Sequence, residues 1–99
     1  MILPIKLLEV AESEALEAID WYENQETGLG TKFRESAETT IASIQKHTRA
    51  FPVVHGSRVR SAQVRKFPYT IYFTIQADRI LIYSVFHHSR NPMIWHGRG

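Results

Sequence analysis

The chain opens on a short apolar run, ILPIKLLEV, over residues 2–10. This reads as a strand, and Pro4, which has no amide to give to a ladder, assigns it to a sheet edge. Over residues 11–24 the period changes. Ala15, Ala18, Ile19 and Tyr22 recur at helical spacing, which predicts an amphipathic helix. Glu12, Glu14 and Glu17 crowd its early turns, where the helix dipole favours negative charge. ETGLG (26–30) then breaks the chain. A second helix is predicted over residues 31–47, with Phe33, Ala37, Ile41 and Ile44 on one face. Lys46, His47 and Arg49 gather near its end, where cations complement the dipole. Two helices joined this tightly form an antiparallel pair.

Pro52 and Gly56 mark a loop, and the rest reads as strands. Residues 59–66 are basic and partly apolar. YTIYFTI (69–75) is rich in β-branched and aromatic residues. ILIYSVF (80–86) is apolar almost without interruption, as expected of a strand covered on both faces. The order is βααβββ. Two helices on one face of a small twisted sheet give a two-layer α+β fold, expected as a single domain over residues 1–99.

Composition narrows this little, but charge adds to it. There are no cysteines, so disulfides and cysteine-based zinc sites are excluded. No apolar run approaches the roughly 20 residues that span a bilayer, and the N-terminus lacks the layout of a signal peptide. A cytoplasmic protein is expected. Residues 1–45 carry three basic residues against nine acids, whereas residues 46–99 carry nine basic residues against Asp78 alone. All five histidines lie in the basic part. The asymmetry suggests an anionic partner for the second half; the alternative is that the halves mix in space and the charges are simply solvated.

Few motifs carry chemistry. Gly28-Leu29-Gly30 lies between two helices, without the preceding strand and third glycine of a dinucleotide fingerprint, and reads as a tight turn. Trp21 and Tyr22 read as core packing, with Trp21 at its margin. His87 and His88 point to opposite faces of a regular strand, so they do not ligate one metal; no metal or cofactor is expected. One of the two, facing a basic groove, suits a phosphate contact or an acid/base role. Arg58, Arg60, Arg65 and Lys66 form a basic strand, with Arg90 beyond the last strand. Either they engage phosphates or carboxylates, or they are the charges that protect an edge strand from aggregation. The acids lie almost entirely on the helices, which argues against a paired-carboxylate hydrolase.

GLGTKF (28–33), RKFPYTIYF (65–73) and ILIYSVFHHSRNPMIW (80–95), in this order and with WYE (21–23) on the first helix, resemble the RelE/ParE toxins of bacterial type II toxin–antitoxin modules. The WYE stretch is similar to the ParE-like, plasmid-stabilisation branch. The resemblance covers nearly the whole chain. It implies a compact cytoplasmic toxin that arrests growth and is neutralised by a cognate antitoxin in a higher-order hetero-oligomer. ParE-type members poison DNA gyrase. RelE-type members cleave messenger RNA on the ribosome without a metal, and an inert antitoxin-binding module is a third possibility. For a RelE-type nuclease the implied catalytic set is Arg58, Arg60, Arg65, Lys66, His87 and Arg90. For target or antitoxin contact it is Arg58, Arg60, Arg65, Lys66, His87, His88, Arg90 and Trp95. The second strand is arginine-rich where RelE-type nucleases are lysine-rich, and a late tyrosine is missing. Both departures favour the ParE-like branch.

Overall fold

The computed structural model describes residues 2–56 and 58–89. The chain runs β1 (Ile5–Leu7), α1 (Glu9–Gln25), α2 (Leu29–Lys46), a single 3₁₀ turn (Thr48–Ala50), β2 (Val53–His55), β3 (Val59–Gln63), β4 (Tyr69–Ile75) and β5 (Ile80–His87). Five strands form one sheet in the order β1-β5-β4-β3-β2. Among the described strands only the β1–β5 pair is parallel. The two helices pack on each other and on this sheet, giving the expected two-layer α+β architecture.

The apolar pattern explains each layer. Phe33, Ala37 and Ile44 of α2 are buried, together with Ala11 and Ala18 of α1. They meet Ile71, Phe73, Ile80, Ile82 and Val85 from the sheet. Tyr22 extends this core at one end, stacking on Phe33 with ring centroids 5.4 Å apart and meeting the edges of Phe67 and Tyr69. A second cluster, Val59, Leu81, Tyr83 and Phe86, occupies the opposite sheet face with Leu8 and Tyr72 beside it. Strand β5 is therefore buried on both faces, as its unbroken apolarity requires.

Elements differ from the sequence expectations mainly at their ends. The first strand shrinks to three residues because the helix begins at Glu9, where Glu9 and Glu12 complement the dipole. Its edge position holds, and the carbonyl of Pro4 accepts from the amide of Ile80 at 2.8 Å. Strand β2 falls where a loop was expected. It has three residues, all exposed, and so lacks the apolar alternation that reveals longer strands. Strand β3 stops at Gln63, three residues short of the expected end, which moves Arg65 and Lys66 off the strand and into the turn before β4.

The helix pair is joined by the glycines. Gly28 has φ = +90°, open to glycine without strain. At Gly30 a Cβ would stand 2.5 Å from the carbonyl oxygen of Ile19, so a side chain there would push the helices apart. The Glu23 carboxylate accepts from the amides of Gly28 at 2.9 Å and Gly30 at 3.0 Å. It thereby caps the first turn of α2, whose amides would otherwise lack partners. The glycine pair is the tight turn expected, and an internal carboxylate holds the place an anion would need.

Candidate functional site

The candidate residues come from three places in the fold, and the strand register sets Arg58 and Arg60 apart from the histidines. Arg60 sits opposite Phe73 on β4, while His87 sits opposite Tyr69. Four residues of extended chain separate those rungs, about 13 Å at 3.3 Å per residue. No single basic surface therefore unites Arg58 and Arg60 with the histidines. Arg90 and Trp95 lie outside the described residues.

Arg58, Arg60 and Arg49 line a hollow of about 550 Å³ with Thr74, Gln76 and Tyr83. Arg60 is fixed there because its Nη1 donates to the carbonyls of Phe51 at 2.6 Å and Arg49 at 3.3 Å. These bonds clamp the segment after α2 onto β3. Thr74 Oγ1 donates to the carbonyl of Arg58 at 3.2 Å. The side chains of Arg49 and Arg58 remain exposed. Arg49 was not among the sequence candidates; its position at the end of α2 gave no sign that the chain folds back beside β3.

Arg65 and Lys66 occupy a different hollow, of about 780 Å³, with Lys32, Glu35, Leu29 and Phe67. The Arg65 carbonyl accepts from Ser36 Oγ at 2.7 Å, which ties the turn to α2. Lys66 has φ = +71°, a left-handed conformation that costs an L-residue free energy. This hollow combines cations with apolar wall, and so suits an acidic segment that also carries apolar side chains.

The histidines diverge, as neighbours at a strand end should. The amide of Ser89 donates to His87 Nδ1 at 3.1 Å, and Ser89 Oγ lies 2.7 Å from the same nitrogen. An Nδ1 that accepts places the proton of the neutral ring on Nε2. The ring meets the edge of Tyr69 at 5.0 Å. His88 Nε2 lies 2.9 Å from Thr70 Oγ1 on the other face. His87 borders a groove of about 320 Å³ against α1, lined also by Glu14, Glu17, Trp21, Tyr22 and Val85. Its surroundings are acidic and aromatic, not basic. Burial raises the phenol pKa of Tyr22, so that phenol stays protonated at neutral pH.

Among the described residues no group of three or more His, Cys, Asp or Glu side chains is arranged to hold a metal ion. No helix among them is long and apolar enough to cross a membrane.

Comparison with known proteins places this architecture. The fold resembles a chain of the solved structure "Chromosomal ParDE TA system from P. aeruginosa", with a TM-score of 0.76 at 13% identity, covering 87% of this chain and 96% of that one. At that identity the likeness speaks for the fold. No curated protein sequence matches. The family model described as "ParE toxin of type II toxin-antitoxin system, parDE" matches residues 5–92. That stretch takes in every described strand and both helices, and the chain accordingly belongs to the ParE toxin family.

Proposed function

We propose that the chain is a single-domain toxin that acts in the cytoplasm, arrests growth by poisoning DNA gyrase and is neutralised by a cognate antitoxin in a higher-order complex. Family membership supports the toxin reading. The observation that favours gyrase over messenger RNA is the division of the candidate residues. Cleavage by 2′-hydroxyl attack needs a base, an acid and charge stabilisation around one phosphate. Here the histidines stand at the far end of the sheet from Arg58 and Arg60, and each already has a hydrogen-bond partner. The antitoxin contact is assigned to Arg65 and Lys66, where cations and apolar wall coincide.

Induction of the chain alone, and together with its antitoxin, tests this. Arrest with altered plasmid supercoiling or trapped DNA breaks, relieved by the antitoxin, is the expected result. Ribosome-dependent cleavage of messages, lost in His87→Ala or Arg90→Ala, would instead establish the RelE-like reading. Normal growth at high toxin levels would mark an inert antitoxin-binding module.

A further inference from the structure

We infer that the arginine hollow at the β3–β4 end of the sheet is a binding track for the phosphodiester backbone of a nucleic-acid strand. Three arginines, Arg49, Arg58 and Arg60, line one concavity with Thr74. No carboxylate is present among its described lining residues. A guanidinium matches phosphate oxygens in a planar, two-point contact that an ammonium does not make. Arg60 is held by backbone carbonyls, so part of the site is ordered before any ligand arrives, and less freedom is lost on binding.

The shape points to a strand and not to a single anion. A second hollow of about 650 Å³ shares Arg49 and Ile75 with the first and adds Lys46 and His47. It too has no carboxylate among its described lining residues. The cations thus continue from β3 to the end of α2, a track for a ligand with repeated charges. An acidic peptide also repeats its charge, but peptides of that kind gain affinity by burying apolar side chains. The arginine hollow is lined mainly by polar and cationic groups, whereas apolar wall lies beside Arg65 and Lys66. The track requires no bond of the strand to break, and it stands whether or not gyrase is the target.

Fluorescence anisotropy with the antitoxin-free chain tests the assignment, using labelled short DNA and RNA strands, a glutamate-rich peptide and inorganic phosphate as competitor. At low salt either strand is expected to bind, and comparison of the two identifies which nucleic acid the track prefers. Arg58→Ala and Arg49→Ala should each weaken binding severalfold and reduce the salt slope by about one. Arg58→Lys should restore the slope but not the full affinity, because it keeps charge and loses the two-point contact. Arg65→Ala, in the other basic hollow, should leave strand binding unchanged. Circular dichroism on each variant confirms that the fold is retained. The inference is overturned if neither strand binds, if Arg65→Ala weakens binding as much as Arg58→Ala, if phosphate alone competes at concentrations comparable to the strand, or if the peptide binds there more tightly than either strand.

Discussion

Lys66 shows how one residue's backbone can carry information that its side chain conceals. As a sequence position it is one more cation in a basic stretch. In the fold it turns the chain between Val64 and Phe67, whose amide donates back to the Val64 carbonyl at 3.4 Å, and it does so at positive φ. A left-handed conformation disfavours an L-residue by roughly 1–2 kcal/mol, and glycine escapes most of that cost. Lys66→Gly should therefore raise stability by about 1 kcal/mol, seen as a higher denaturant midpoint with an unchanged slope. A lysine retained against this strain is consistent with a contact made by its ammonium. If it serves the antitoxin, the same variant should bind the antitoxin less tightly although it is the more stable protein. A variant that is neither stabilised nor weakened in binding would remove the argument for both roles.

Among the elements, β5 is the one whose details the sequence conceals. Its apolarity made its existence and interior position legible, and the alternating β-branched and aromatic residues of β4 did the same for that strand, Tyr69–Ile75. What periodicity cannot show is the irregularity within β5. Tyr72 pairs with Ser84 but Phe73 with Ile82, so Tyr83 is an extra residue, a bulge. The bulge resets the alternation. Ile80 and Ile82 face the helices before it and Val85 faces them after it, while Leu81, Tyr83 and Phe86 face the other way. β1 ends at Leu7, opposite Ile82, and beyond that point α1 supplies the missing acceptor. Glu14 Oε1 receives the amide of Val85 at 3.1 Å and the hydroxyl of Ser84 at 2.9 Å. Glu14 is thus buried on a helix face that otherwise carries alanines. In the sequence it read only as an acid favouring the helix start, because its partners lie some 70 residues away. Glu14→Ala leaves a buried amide and a buried hydroxyl without this acceptor, at about 1–3 kcal/mol for each such group. A loss of about 2–6 kcal/mol is expected in denaturant unfolding, and Glu14→Gln, which keeps an oxygen in place, should lose less. Equal losses from the two would show that the carboxylate's charge, and not its role as acceptor, matters there.

At the scale of the whole molecule the charge asymmetry along the chain becomes an asymmetry in space. Glu9, Glu12, Glu17, Asp20, Glu23, Glu26, Glu35 and Glu38 are all exposed on the helical layer. Arg49, Arg58, Arg65 and Lys66 gather at the two ends of β3 and in the segment that leads into it, while Lys32 and Arg34 lie among the acids of α2. The sequence foresaw the segregation but not its division, because one basic run, 58–66, is cut by the end of β3 into two hollows with different walls. The division is what lets us propose different partners for the two. Leu29 and Phe67 give the Arg65–Lys66 hollow an apolar floor, which an acidic–apolar antitoxin segment can bury, and the cations around it attract such a segment from a distance. The groove by Trp21 is less suited to that segment, since Glu14 and Glu17 line it. Association with the antitoxin should consequently slow as salt is added, because the steering field is screened within a Debye length of about 8 Å at physiological ionic strength. The double change Arg65→Glu with Lys66→Glu should slow association at low salt by roughly tenfold or more and flatten its salt dependence. Arg58→Glu, at the other end of β3, should alter the rate much less. Stopped-flow mixing over a range of ionic strength separates the two ends. Equal slowing by Arg58→Glu and by the double variant would mean that the toxin attracts its antitoxin through net charge alone and that the Arg65–Lys66 hollow is not where it lands.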